Sequence, residues 1–170
     1  MAYHPQAMSL VIYTVGHSNR SFEQFLELVS RHQVDCLVDV RSTPWSRRWP
    51  WFRKPALAAR LPGEGIAYRH LGALGGRPAA GEATTPESFH RAISQVLALG
   101  STGRVAIMCA EADPARCHRS SLLAPAFVAR GATVVHLLTA DRVQEHVLRA
   151  EPLPPHPPPP VPVMGDLFDA

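Results

Sequence analysis

Five short runs of apolar and β-branched residues recur along the chain, with segments of helical periodicity between them. The runs are residues 9–16 (SLVIYTVG), 36–40 (CLVDV), 66–71 (IAYRHL), 104–110 (RVAIMCA) and 133–138 (TVVHLL). Strands that are apolar on both faces need other elements to cover both sides, and parallel sheets obtain this cover from helices. The alternation therefore predicts a three-layer α/β fold, Rossmann-like or flavodoxin-like, with a mainly parallel five-stranded sheet flanked by helices.

The helices between these strands have recognisable starts. Ser21 and Gln24 form a capping-box pattern, which predicts a helix from residue 21 to about residue 32. Three further helices are expected at residues 55–61, 87–99 and 114–130. Pro125 lies inside the last of them and should kink or end it, because proline removes a backbone hydrogen bond.

The 170 residues suffice for one domain, which we place at residues 10–150. Residues 1–9 are expected to be a flexible N-terminus. Residues 151–163 are expected to be an extended linker, because eight prolines lie between residues 151 and 162. A short C-terminal peptide, residues 164–170, follows the linker.

Composition limits the setting in which the chain works. No stretch approaches about 18 consecutive apolar residues, so we expect no membrane partner. The first ten residues lack the charged and apolar regions of a signal peptide. Three cysteines argue against a disulfide framework, and this predicts a reducing, cytoplasmic location.

Residues 41–54 (RSTPWSRRWPWFRK), here called the Arg/Trp loop, combine five cations and four aromatic rings with no acidic residue. Such a loop suits nucleic acid, because cations hold phosphates while rings stack on bases. An equally open alternative is a loop that buries its rings in the core and leaves its arginines in solvent. The candidate nucleic-acid-binding residues are Trp45, Arg47, Arg48, Trp49, Trp51, Arg53 and Lys54.

Polar residues follow three of the expected strands. Ligands of such sheets bind beyond the carboxyl ends of the strands, so we expect these residues to form one site. Ligand-binding candidates are His17, Ser18, Asn19, Arg41, Ser42 and Arg119, and the glycine-rich connection adds Gly75, Gly76 and Arg77 as a phosphate-binding segment. Asp39, near the end of the second strand, is either catalytic or paired with Arg41 in a structural ion pair.

The segment after the fourth strand carries the most chemistry. Asp113 and Pro114 mark a helix start, and the free amides there favour an anion and a cysteine thiolate. Cys117 beside His118 is therefore a candidate nucleophile. Cys109 is an alternative nucleophile, although buried cysteines are more often core residues, and Glu111 suits an acid/base role. The catalytic candidates are Asp39, Cys109, Glu111, Cys117 and His118.

A metal site can be drawn from Cys109, Cys117, His118 and His17. These residues lack a paired, close-spaced ligand motif such as C-x-x-C or H-x-x-x-H. We therefore expect no metal and no other cofactor.

Three segments resemble, in the same order, the domain of unknown function 488 family: VGHSNRSFEQFLELVSRHQVDCLVDVRSTPWSRR, YRHLGALGGR and MCAEADPARCHRSSL. The resemblance runs from about residue 11 to residue 138 and implies a small α/β domain whose activity is not assigned. The connection after Arg77 is shorter than is common in that family. The family's signature residues correspond here to His17, Ser18, Asn19, Asp39, Arg41, Ser42, Gly75, Gly76, Cys109, Glu111, Cys117, His118 and Arg119.

Two partial resemblances suggest other classes of protein. The LVDVRS segment resembles the opening strand of rhodanese-type sulfurtransferases, whose cysteine precedes an arginine by five residues. Here Cys109 and Arg116 have six residues between them, and two of these are acidic. At the C-terminus, Asp166, Leu167 and Phe168 resemble the last half of the peptide that binds the bacterial sliding clamp, which implies that clamp as a partner.

Three functions follow from these features. The first is an enzyme-like domain that acts on or binds a nucleotide, DNA or RNA through a phosphate-binding site at the carboxyl edge of the sheet. The second is a non-catalytic adaptor associated with DNA replication or repair. The third is a rhodanese-like or phosphatase-like cysteine enzyme.

Overall fold

The computed structural model describes residues 10–77 and 84–147 of the chain. The expected N-terminal extension, the proline-rich linker and the C-terminal peptide with Asp166, Leu167 and Phe168 lie outside the described residues. The strands are β1 (Val11–Gly16), β2 (Cys36–Asp39), β3 (Ala67–His70), β4 (Val105–Cys109), β5 (Thr133–Thr139) and β6 (Arg142–Glu145). The α-helices are α1 (Phe22–Arg31), α2 (Lys54–Arg60), α3 (Pro86–Thr102) and α4 (Ala124–Val128).

These strands form one sheet in the order β3-β2-β4-β1-β5-β6. All neighbouring pairs are parallel except β5 and β6, which are antiparallel. The mainly parallel sheet is therefore confirmed, but it has six strands rather than five. The prediction missed β6 because its four residues are all exposed and lack the apolar run of a buried strand.

The position of β4 between β1 and β2 determines where the site lies. This order differs from the 3-2-1-4-5-6 order of Rossmann sheets and the 2-1-3-4-5 order of flavodoxin sheets. In the register of the sheet, Gly16 lies opposite Cys109 and Asp39 lies opposite Met108. The carboxyl ends of β1, β4 and β2 are therefore adjacent, and the residues that follow them share one edge.

Helices cover both faces of the sheet and produce three layers. On one face, Phe25 of α1 and Leu57 of α2 pack in a cluster with Leu37 of β2. On the other face, Ile93 of α3 and Phe127 of α4 pack in a second cluster with residues of β1, β2, β4 and β5. All five side chains are fully buried. Each contributes about 1.5–3 kcal/mol relative to an exposed side chain, so the two clusters hold the three layers together.

The start of α1 is confirmed in detail. The Gln24 backbone N–H donates to the Ser21 hydroxyl at 3.1 Å, and the Ser21 N–H donates to the Gln24 side-chain oxygen at 3.0 Å. Both bonds of the capping box are thus present. Within residues 10–77 and 84–147, no helix has both the length and the apolar character that a membrane span requires.

The helix expected over residues 114–130 is wrong in its first half. Pro114–Arg116 form a single 3₁₀ turn, and Cys117 after it is extended, with φ −123° and ψ 147°. A π-helical stretch, Arg119–Leu123, then leads into the short α4. Pro125 follows directly on this π-helical stretch within a continuous helical run, so its missing N–H removes a hydrogen bond at the point where the regular α-helix is interrupted. This interrupted segment returns Cys117 to the edge of the sheet.

Candidate active site

The adjacent ends of β1, β4 and β2 open onto a cavity of about 950 Å³. The predicted site residues that line it are His17, Ser18, Arg41, Ser42, Trp45, Trp49, Gly76, Arg77, Cys109, Glu111, Cys117 and His118. Thr43, Ser46 and Arg116 also line the cavity and were not among the predicted residues. The structure therefore gathers polar residues from three strand ends, the Arg/Trp loop and the glycine-rich connection around one space.

Two thiols and an imidazole form one cluster in the wall of this cavity. The Nδ1 atom of His118 lies 3.8 Å from the Sγ atom of Cys109 and 3.6 Å from the Sγ atom of Cys117. The three potential ligand atoms all lie within 4.8 Å of one another, so the cluster can hold a metal ion. The 3₁₀ turn that follows Asp113 places Cys117 here, and the Asp113 side chain caps the turn by accepting a hydrogen bond from the Ala115 N–H at 2.9 Å.

The surroundings of Cys117 favour its thiolate. A hydrogen bond from the Cys109 thiol, together with hydrogen bonds from His118 and Arg119, holds the pKa of Cys117 well below its usual range. The same hydrogen bond and burial raise the pKa of Cys109. We expected a helix N-terminus to produce this effect. The structure shows direct hydrogen bonds instead, because the preceding segment is one 3₁₀ turn that ends before Cys117.

Arg119 lies behind the cluster, not in the cavity. Its side chain is 1% exposed. The Nε–H group donates to the Cys117 Sγ atom at 3.3 Å, and one terminal nitrogen donates to the Thr14 hydroxyl at 3.2 Å. The other terminal nitrogen donates to the carbonyl oxygens of Glu111 and Ala112. Its donors therefore have protein partners, and direct ligand binding by Arg119 stays a prediction.

Asp39 is also buried and does not line the cavity. Its carboxylate pairs with the Arg41 guanidinium at 2.6 Å and accepts a second bond from the Arg41 Nε–H group at 2.9 Å. The Tyr68 hydroxyl donates to the same carboxylate at 2.8 Å. The structure therefore contains the ion pair expected as the alternative for Asp39, and this pair orients Arg41 at the cavity wall; a catalytic role of Asp39 stays a prediction.

His17 completes the wall beside Arg41. Its Nδ1 atom lies 2.9 Å from the Ser18 carbonyl oxygen, and its Nε2 atom faces an Arg41 terminal nitrogen at 3.3 Å. The imidazole stacks on the Phe52 ring with centroids 4.3 Å apart. Burial, and then the charge of Arg41, lower the pKa of His17 to about 4. The ring is therefore neutral at pH 7, with Nδ1–H donating to Ser18 and Nε2 accepting from Arg41.

Some rings of the Arg/Trp loop are buried in the core, and others lie at the cavity. Phe52 is fully buried, and the Trp51 indole N–H donates to the Arg20 carbonyl oxygen at 3.0 Å. Trp45, by contrast, is 56% exposed at the cavity, with the Arg53 guanidinium 4.1 Å from its ring centroid. Arg47, Arg48 and Lys54 are exposed and do not line the cavity. Phe52 and Trp51 thus face the core, while Trp45 and Trp49, here called the outer rings, line the cavity.

The two glycines of the connection allow close packing. A Cβ atom on Gly75 would lie 2.8 Å from the Ser42 backbone nitrogen, and a Cβ atom on Gly76 would lie 2.9 Å from two atoms of the His118 ring. The Ser42 hydroxyl donates to the Arg77 carbonyl oxygen. These contacts hold Gly76 and Arg77 against the cavity, whereas Gly75 lies outside the lining, as does the exposed Asn19.

Comparison with known proteins adds one match. A family model described as domain of unknown function DUF488 matches residues 21–88 and 80–124. No curated protein and no solved structure matches the chain. The matched ranges include the Arg/Trp loop, the end of β4 and the Cys117–His118 segment.

Proposed function

Since the chain belongs to the DUF488 family, whose description assigns no activity, we propose from the cavity itself that this domain is an enzyme acting on a nucleotide or on an unpaired base of a nucleic acid. The observation that carries the proposal is that one cavity combines exposed indole, several guanidinium groups and a thiol–imidazole cluster. A fold of this class serves many chemistries, so the side chains of the cavity decide which function it supports.

The charge of the cavity lining suits an anionic substrate. Arg41, Arg77 and Arg116 line the space, while Glu111 is the acidic residue among the lining residues. Guanidinium groups bind phosphate oxygens through paired hydrogen bonds. Most donors of Arg41 already bond to Asp39, the Phe52 carbonyl oxygen and His17, so Arg77 and Arg116 are the residues that we assign to phosphate binding.

The rings at the cavity suit a base. Trp45 and Trp49 line it, and Trp45 keeps 56% of its surface exposed although Arg53 stacks on it. Stacking of a base on an aromatic side chain contributes about 1–3 kcal/mol. Arg47 and Arg48, which are exposed on the same loop, extend the positive charge beyond the cavity and suit a substrate longer than one nucleotide.

Glu111 is the residue we assign to proton transfer. It lines the cavity two residues after Cys109, and one of its carboxylate oxygens accepts a hydrogen bond from the Asp113 N–H at 3.2 Å. That bond orients the carboxylate while leaving it in the exposed part of the wall. A positioned carboxylate of this kind typically accelerates a reaction by about 10²–10⁴-fold.

A non-catalytic adaptor is the second candidate function, favoured by the exposed outer face of the Arg/Trp loop. It would bind nucleic acid through the same loop and show no turnover. The sliding clamp stays a predicted partner through Asp166, Leu167 and Phe168, and the cytoplasmic location stays a prediction.

The direct test is a titration of tryptophan fluorescence with mononucleotides, single-stranded DNA and duplex DNA at two salt concentrations. We expect saturable quenching that weakens with salt. Trp45→Ala should raise Kd by about fivefold or more, the equivalent of about 1 kcal/mol of stacking. The matched control, Trp51→Ala, should retain wild-type affinity, since Trp51 does not line the cavity. Absence of quenching with every ligand, or equal losses in both variants, would refute the proposal.

A further inference from the structure

The cluster of Cys109, Cys117 and His118 has the dimensions of a metal site. In tetrahedral zinc sites, bond lengths of about 2.3 Å to sulfur and about 2.0–2.1 Å to nitrogen place a sulfur and a nitrogen about 3.6 Å apart. The corresponding separations here are 3.6 and 3.8 Å, measured from the His118 Nδ1 atom to the two Sγ atoms. The three groups can therefore close on one ion with little movement of the backbone.

The chemistry of the donors selects the class of ion. Two thiolates and one imidazole are soft or borderline ligands that favour zinc and similar transition metals over magnesium or calcium. Cys109 and Cys117 are both buried in this part of the fold, and no disulfide joins them. Two thiolate charges on a divalent ion also leave the cluster close to neutral, which suits a buried location.

A second layer of contacts already supports the cluster. Arg119 donates to the Cys117 sulfur at 3.3 Å and is itself fixed by the Thr14 hydroxyl and the Glu111 carbonyl oxygen. Gly76 packs against the His118 ring with no room for a side chain. Such outer contacts orient metal ligands and are part of the design of metal sites. They also explain how Arg119 is buried although it forms no ion pair with an acidic residue in the described part of the chain.

We propose that Cys109, Cys117 and His118 bind a zinc ion whose fourth coordination position faces the cavity. Three protein ligands and one open position are the arrangement of catalytic zinc. This inference rests on the proposed function for its consequence. Zinc held by these three residues would make a bound water more acidic, and Glu111, which lines the same cavity, would accept its proton while the water oxygen replaced the leaving group on the substrate. The leaving group then takes the proton from Glu111, so the net reaction is hydrolysis.

The test uses the full chain and the metal alone as its probe. Protein purified without chelator is analysed for bound metal, then stripped and titrated with Co²⁺, whose bonds to thiolates produce a charge-transfer absorption. We expect one ion per chain. Cys117→Ser and His118→Asn should each weaken binding by more than about 100-fold, which exceeds the 10–100-fold loss typical of outer contacts. The matched control, Cys36→Ala, removes a buried cysteine outside the cluster and should bind as the wild type does.

The first outcome is measured on the wild-type protein and does not depend on the folding of any variant. Absence of both bound metal and the cobalt–thiolate absorption in the wild-type protein would overturn it and favour a free cysteine nucleophile. Wild-type affinity in Cys117→Ser would also overturn it, because the ion would then lie elsewhere. Nucleotide binding is followed separately by fluorescence in loaded and stripped protein. One bound ion without any nucleotide binding would leave the metal site standing while refuting the proposed function.

Discussion

Protonation of buried His136 should destabilise the domain in mild acid. His136 is 1% exposed, and its Nδ1 atom lies 2.7 Å from the hydroxyl of Thr14, the residue that also binds Arg119. Burial, followed by the charges of Arg119 and His146, lowers the pKa of His136 from 6.5 to about 4. Between these two values the unfolded chain binds more protons than the folded one. The free energy of unfolding therefore falls as the pH drops through this window.

The size of the effect follows from the two pKa values. At about pH 5, a ring that titrates at 6.5 when unfolded and at about 4 when folded removes about 2 kcal/mol of stability compared with neutral pH. His17 has a similarly lowered pKa and should contribute a comparable amount. The wild-type protein should thus lose about 4 kcal/mol between about pH 7.5 and pH 5, a large part of the stability of a small domain.

Urea unfolding at these two pH values measures the loss directly. In His136→Asn, which retains a polar atom near Thr14, the difference between the two pH values should shrink by about 2 kcal/mol, whatever the variant's stability at neutral pH. His90→Asn, which replaces an exposed histidine, is the matched control. A full wild-type pH difference in His136→Asn would refute the assignment.

Three other changes probe the site. Replacing both Arg47 and Arg48 by Ala should reduce the slope of log K for DNA binding against log salt concentration by about 1.5, since each phosphate contact contributes about 0.7–0.9. An unchanged slope would mean that the nucleic acid does not contact these two arginines. Glu111→Gln should lower turnover of any nucleotide that binds by about 10²–10⁴-fold with an unchanged Tm, and full activity would end its assigned role. Gly76→Ala should lower the free energy of unfolding by about 1–3 kcal/mol through overpacking. Gly63→Ala, whose Cβ meets nothing within 4 Å, should leave it unchanged. Equal thermal stability of the two variants would contradict the packing of Gly76 against His118.

The architecture was predictable because its signals are local. Apolar runs and a capping box are properties of neighbouring residues, and both the mainly parallel sheet and the start of α1 at Ser21 are confirmed. Strand β6 escaped prediction because an exposed edge strand buries nothing and so needs no apolar pattern. The position of β4 in the sheet was equally hidden, since strand order depends on packing between distant segments.

The details of the site depend on contacts that spacing does not encode. Cys109 and Cys117 do not form a close-spaced motif, and only the interrupted helix after Asp113 brings their sulfurs together around His118. This is why we expected no metal from the sequence. The roles of Arg116 and Arg119 could not be distinguished either, because both lie in the same short basic segment, yet one lines the cavity and the other is buried.

A base bound in the cavity should lie against Trp45 and Trp49, the two rings of the Arg/Trp loop that line it. Nuclear magnetic resonance of the three indole N–H groups during addition of a mononucleotide tests it most directly. Trp45 and Trp49 line the cavity, so their signals should shift in a saturable manner. The Trp51 signal should stay in place, because its N–H is engaged with the Arg20 carbonyl oxygen. A shift confined to Trp51, or no shift in any of the three, would contradict the account.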